Sequence, residues 1–177
     1  MPKARIIAGT HRRLQFETGD LPHTRPVRDR VKETLFNQLE PFAYARVLDA
    51  FAGVGSLAFE AMSRGALVVD AVEKNQASAA LLSTNASHLK IPVTVIHADA
   101  FKVLKTTDTP YDLILVDPPY QAGYLEPFLK ALKSSNALKP STRIVCLHES
   151  DIDANGFEVI KHRTHGRTQI THLKESL

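Results

Sequence analysis

Apolar positions along this chain change their spacing repeatedly, and each change marks an element. Leu113-Ile114-Leu115-Val116 is an unbroken apolar run, the pattern of a strand buried on both faces. Arg46–Ala50, Val68–Glu73, Val93–His97 and Arg143–Leu147 read as further strands. Between them, helical spacing predicts helices over Leu57–Arg64 (closed by Gly65), Ala77–Leu89, Phe101–Leu104 and Leu125–Leu132. Upstream, Val31, Leu35, Phe36 and Leu39 form one stripe of a helix beginning near Val27 and ending before Pro41. Arg5–Gly9 and Arg13–Phe16 read as a short hairpin around Gly9-Thr10-His11, and Glu158–His162 with Thr168–Leu173 as a hairpin across Gly166. Regular strand–helix alternation predicts an α/β fold: a mostly parallel, doubly wound sheet of about seven strands with a C-terminal antiparallel hairpin. The expected organisation is a small N-terminal extension over residues 1–40 and a main domain over 41–177.

Charge separates these two parts. Residues 1–32 hold eight Lys/Arg against three Asp/Glu, a net of +5; the whole-chain charge of +3 therefore leaves −2 for the remainder. A basic arm on a mildly acidic body points to an anionic partner held by the arm, with Arg5, Arg12, Arg13, Arg25, Arg28 and Arg30 as candidate nucleic-acid contacts. A solvated charged face would read the same way. Arg28, Arg30 and Lys32 lie off the apolar stripe and either pair with Asp29 and Glu33 or face a phosphate. The single Cys146 leaves no disulfide framework and fits a reducing cytosol. No apolar run reaches the roughly 18–20 residues of a membrane span, and the first residues lack the apolar stretch of a secretory signal, so a soluble cytoplasmic protein is expected. The eight histidines, His97, His148, His162, His165 and His172 among them, lack metal-ligand spacing; no metal is expected.

Candidate chemistry gathers at the carboxyl ends of the strands. Val47-Leu48-Asp49-Ala50-Phe51-Ala52-Gly53-Val54-Gly55 is a strand followed by a glycine turn that opens a helix. The glycine spacing, with Glu73 ending the next strand, also matches a dinucleotide fingerprint. Asp49 argues against that reading, because its carboxylate would repel a pyrophosphate on the turn. It suits a ligand carrying an amino group and a sulfonium, as S-adenosylmethionine does. Glu73 can accept both ribose hydroxyls, or pair with Lys74 at the surface. Asp99-Ala100, after the third strand, can meet an adenine amino group, or Asp99 can cap the following helix. Phe51 belongs either to the core or to the wall of the methionine half of the site.

The central run ends in Asp117-Pro118-Pro119-Tyr120. Prolines cannot donate to a sheet ladder, so the strand stops there. The Asp117 carboxylate and the Pro118 carbonyl offer two acceptors to the two N–H groups of an exocyclic base amine, and Tyr120 offers a ring for stacking. Alone, the tetrapeptide could be a simple turn; downstream of an acidic glycine-turn site it is a candidate catalytic motif.

Together these features resemble the S-adenosylmethionine-dependent class I methyltransferases with a Rossmann-like fold. Within them the chain is similar to the RsmD family, bacterial enzymes that methylate a guanine N2 in small-subunit ribosomal RNA. The resemblance rests on Arg5–Gly9, Arg25-Pro26 with Asp29–Asn37, Leu48–Gly55, Glu60-Ala61 with Ser63–Gly65, and Asp117–Tyr120. It implies that Asp49, Phe51, Gly53, Gly55, Glu73, Asp99 and Ala100 line a cofactor site, and that Asp117, Pro118 and Tyr120 hold the guanine. The Arg25–Phe36 block would cover the cofactor and reach toward RNA. Val27 and Arg28 depart from the family's usual threonines, and Thr10–Arg13 from its usual hairpin turn.

The implied partner is 16S ribosomal RNA, within an assembled or assembling 30S subunit, with no oligomer required. Two other readings compete: an adenine-N6 or cytosine-N4 methyltransferase, since the tetrapeptide serves any exocyclic amine, and a noncatalytic RNA-binding assembly factor.

Overall fold

The computed structural model describes residues 1–22, 25–120 and 123–176. In chain order the elements are β1 (Lys3–Arg5), β2 (Gln15–Glu17), α1 (Asp29–Asn37), β3 (Arg46–Asp49), α2 (Ser56–Ser63), β4 (Val68–Glu73) and α3 (Gln76–Leu89). They continue with β5 (Thr94–His97), α4 (Ala100–Thr106), β6 (Leu113–Val116), α5 (Leu125–Lys133), β7 (Arg143–His148), β8 (Phe157–His165) and β9 (Thr168–Glu175). The main sheet has seven strands in the order β5-β4-β3-β6-β7-β9-β8. β5, β4, β3, β6 and β7 run parallel, while β9 is antiparallel to both β7 and β8. Sequential strands step outward one way from β3 and the other way from β6. The crevice beyond the carboxyl ends of those two strands is therefore the switch point where ligands of such sheets bind.

The apolar run at β6 is fully enclosed because strand side chains alternate between faces. Leu113 and Leu115 point into a core shared with Leu35, Phe36, Phe59 and Leu82 from α1, α2 and α3. Ile114 and Val116 point into a second core with Leu104, Phe128, Leu129 and Leu132 from α4 and α5. Cys146 lies in this second core, where burial pushes its thiol pKa up; it is a packing residue. Among the described residues no helix is long and apolar enough to cross a membrane.

The N-terminal hairpin departs from the expected pairing. Only Lys3–Arg5 and Gln15–Glu17 form a ladder, rather than Arg5–Gly9 with Arg13–Phe16. Ile6 extends the pairing, its amide donating to the Leu14 carbonyl and its carbonyl accepting from Arg13, while four amides of the turn go to α2. Ile7 and Ala8 donate to the Glu60 carboxylate at 3.0 and 3.1 Å, Thr10 donates to the Ser63 carbonyl at 2.8 Å, and His11 to Ser63 Oγ at 2.9 Å. Gly9 has φ +82°, and a Cβ there would lie 1.8 Å from the Ser63 carbonyl oxygen, so no other residue fits. Lys32 pairs with Asp29, one of its two expected roles, but is buried rather than facing solvent. It donates to the Arg5 carbonyl, and lies 3.5 Å from Asp29 and 4.0 Å from Glu60. Arg64 reaches the other Glu60 oxygen at 3.0 Å. The first four sequence blocks that carry the resemblance thus include three that meet in space around Glu60.

Candidate active site

A cleft of about 1800 Å³ opens at the carboxyl edge of the sheet, above the β3/β6 switch point. Its floor is acidic. Asp49 closes β3, Glu73 closes β4, Asp99 follows β5 and Asp117 follows β6, so parallel strands deliver four carboxylates to one edge.

Their environments differ. Asp49 is 1% exposed, and neither carboxylate oxygen completes a hydrogen bond of normal geometry. Burial, then the charges of Asp117 and Glu73, push its pKa up to about 8; the backbone amides of Ala58 and Phe51 offset only part of this. An uncompensated buried carboxylate is costly, and it is relieved by a cation. Burial likewise raises Asp117 to about 7, with the nearby Tyr120 hydroxyl acting in the opposite sense. The Tyr120 hydroxyl is itself raised by burial and by Asp117.

Glu73 is already engaged by backbone: Oε2 accepts from the Gly53 amide at 2.8 Å and Oε1 from the Asn75 amide at 2.7 Å. It does not pair with Lys74, which reaches Asp99 Oδ2 at 3.0 Å. Asp99 caps α4, its Oδ1 accepting from the Phe101 amide at 2.8 Å. Partial burial works to raise the Asp99 pKa, but the Lys74 bond and the Phe101 amide outweigh it and the net shift is downward. Gly53 lines the cleft with φ +56°. Gly55 does not line it. With φ +106°, a Cβ there would sit 2.4 Å from the Phe59 ring and 2.5 Å from Leu82, so this glycine serves helix packing.

Phe51, Ala100, Pro118 and Tyr120 also line the cleft. Phe51 stacks on Tyr124 with ring centroids 6.3 Å apart, and Phe101 meets Tyr124 edge-on at 6.4 Å, giving one apolar wall beside the acidic floor. At the mouth stand Arg25, Arg28 and Arg30, exposed and without ion pairs among the described residues. Arg12 and Arg13 lie exposed in the hairpin turn, away from the cleft, and Arg5 is paired with Asp29 at 2.6 Å. Among the described residues, no group of three or more His, Cys, Asp or Glu side chains is arranged to hold a metal ion.

This geometry has known counterparts. A family described as "Conserved hypothetical protein 95" matches residues 4–174. Ribosomal RNA small subunit methyltransferase D of Escherichia coli is 36% identical over 158 residues, covering 88% of this chain and 78% of that protein. This chain belongs to that family. The Haemophilus influenzae protein of the same name is 35% identical over 173 residues, covering 93% of this chain and 90% of its own length. A solved structure, a putative methyltransferase yhhF from Escherichia coli, matches with a TM-score of 0.88 at 30% identity, covering 99% of this chain and 100% of that one.

Within this small-subunit RNA methyltransferase family fold, the cleft also holds residues that sequence reasoning passed over: Phe101, Tyr124, Glu149, His165, Arg167 and Thr168. Phe101 was readable as the residue after the Asp99-Ala100 turn. Glu149, Arg167 and Thr168 were not, because they come together only when β9 folds back antiparallel onto β7.

Proposed function

We propose that this chain transfers a methyl group from S-adenosylmethionine to the exocyclic N2 amine of a guanine in 16S ribosomal RNA, acting on the assembled or assembling 30S subunit in the cytoplasm, with no oligomer required. The observation that carries this reading is Asp49, a buried carboxylate with two unsatisfied oxygens at the switch point, beside Asp117. The residues fit the cofactor by charge. Asp49 would take its amino group, Glu73 retains lone pairs for ribose hydroxyls, and Asp99, Ala100 and Phe101 would border the adenine. Phe51 and the Gly53 turn would border the methionine half. Phosphates would meet four carboxylates on this floor, which disfavours a dinucleotide. Bound there, the cofactor would supply an electrophilic methyl group on a sulfonium.

The chain's own residues do the rest. An exocyclic amine is a poor nucleophile because its lone pair is delocalised into the ring. Asp117 and the Pro118 carbonyl, accepting its two N–H groups, favour a more tetrahedral nitrogen and orient its lone pair, so positioning and oriented acceptors supply most of the acceleration. As methylation makes the nitrogen acidic, the Asp117 carboxylate, with a pKa near 7, is suited to take its proton. Tyr120 offers its ring to the base, which must leave its stack to enter. Arg25, Arg28 and Arg30 at the mouth, with Arg12 and Arg13 on the hairpin, would bind RNA phosphates, and affinity should fall with salt.

The test is labelled methyl transfer from S-adenosylmethionine to unmethylated 30S subunits, naked 16S RNA and duplex DNA in parallel. Label in N2-methylguanine from the subunits is expected. Label in DNA, or in none of the three despite cofactor binding, would overturn the reading.

A further inference from the structure

Asp117 and Pro118 can hold the amine of guanine, adenine or cytosine alike, so they leave open what chooses the base. Two charged residues beside them bear on that choice. β6 pairs with β7 as far as Val116 and Cys146, so the Asp117–Tyr120 segment leaves the sheet beside the end of β7 that Glu149 follows. β7 pairs with β9 through His148 and Gln169, which sets Thr168 opposite Glu149, with Arg167 one residue beyond. Glu149, Arg167 and Thr168 all line the cleft with Asp117, Pro118 and Tyr120. Glu149 is close enough for its charge to bear on the Tyr120 hydroxyl. Both Glu149 and Arg167 are exposed and form no ion pair with each other or with any other described residue.

Across the sheet edge, β6, β7 and β9 therefore present an acceptor pair, a second acceptor and then a donor. The pairing edge of guanine carries the complement in the same order: the N2 amine, the N1–H donor and the O6 acceptor. Adenine and cytosine each place a bare ring nitrogen next to their amine, whose lone pair would face the Glu149 carboxylate. We infer that Glu149 and Arg167 select guanine, Glu149 by accepting its N1–H and Arg167 by donating to O6. This rests on the reading of the Asp117 pocket as the methyl-acceptor site. A polar site of this kind rejects an analogue that leaves its groups unpaired far more strongly than an apolar pocket can.

The test uses 2-aminopurine, which keeps the N2 amine, has a bare N1 and lacks O6. Small subunits are reconstituted around 16S RNA carrying guanine or 2-aminopurine at the mapped target nucleotide. Wild-type protein should prefer guanine by at least about 100-fold in kcat/KM. Glu149→Gln, whose carboxamide can donate to a bare N1, should bring that ratio to within about tenfold. Arg167→Ala should slow guanine methylation and leave 2-aminopurine methylation unchanged, since that base has no O6 to contact. Fluorescence of the 2-aminopurine RNA, titrated without cofactor, should show tighter binding to Glu149→Gln than to wild type. Cofactor titration checks that both variants are folded. A guanine preference in Glu149→Gln equal to that of wild type would overturn the assignment of Glu149. An equal loss on both bases in Arg167→Ala would make Arg167 a phosphate contact and overturn its assignment. Wild-type protein that methylates no guanine in the subunits would overturn the underlying reading itself, and the selection with it.

Discussion

The Gly53 amide donates to Oε2 of Glu73 at 2.8 Å, joining the glycine turn after β3 to the carboxylate that ends β4. Glu73 Oε1 accepts the Asn75 amide at the same time, so one side chain shapes both loops at the cofactor end of the cleft. Glu73→Ala should therefore remove a proposed ribose contact and also release the turn. Cofactor affinity is expected to fall by about 10–100-fold, as for a residue that both contacts and orients a ligand site. Calorimetric titration checks this; an unchanged affinity would remove Glu73 from the site.

Asp49 makes the ligand-free protein pH-sensitive. Its folded pKa, about 8, lies above the ordinary 3.8, so between those values the folded chain binds more protons than the unfolded chain. Its contribution to stability is present at low pH and is lost as pH rises through that window. Asp49→Asn should flatten this dependence and stabilise the ligand-free protein at pH 8 by about 1–3 kcal/mol, while abolishing cofactor binding. Cofactor affinity in the wild type should rise with pH toward about 8, with proton release on binding at pH 7, read as a buffer-dependent heat.

Glu60 ties the N-terminal segment to α2. Glu60→Ala would leave the Ile7 and Ala8 amides and the Lys32 and Arg64 cations without their shared acceptor. Loss of one partner from a buried charge network typically costs about 3–5 kcal/mol. Denaturant unfolding should show a loss of that order, with amide exchange at Ile7 and Ala8 accelerated. Gly9→Ala should produce the same loosening through the collision with the Ser63 carbonyl.

Asp117 sets the acid limb of activity. Below its pKa of about 7 the carboxyl is protonated and donates where it must accept. At saturating cofactor, kcat/KM for the RNA should fall as pH drops through the Asp117 pKa, approaching about tenfold per pH unit. A flat profile from pH 8 to 5 would mean that Asp117 does not contact the amine in its charged form.

Much of this molecule is legible in its sequence for a simple reason. The central strand β6 is buried on both faces, so its apolar run is unbroken, and β3, β4 and β6 each lead into a carboxylate where the chain leaves the sheet: Asp49, Glu73 and Asp117. Residues set by long-range pairing were harder to read. Glu149 and Arg167 lie far from Asp117 in sequence; the β6–β7 pairing brings the first to its edge and the β7–β9 pairing the second. The N-terminal hairpin was legible, but the docking of its turn was not, because the Ile7 and His11 amides go to Glu60 and Ser63, more than fifty residues away, which no local pattern encodes. Gly55 matched a ligand-binding spacing, yet its missing Cβ makes room for Phe59 and Leu82. Asp99 was open between two roles, and its side chain caps α4.

The most direct measurement compares wild-type protein and Asp117→Ala in single-turnover methyl transfer to unmethylated 30S subunits, with the modified base identified after nuclease digestion. The account predicts N2-methylguanine from the wild type and a rate at least about 100-fold lower from the variant, with cofactor still bound. Equal rates for the two proteins would contradict it.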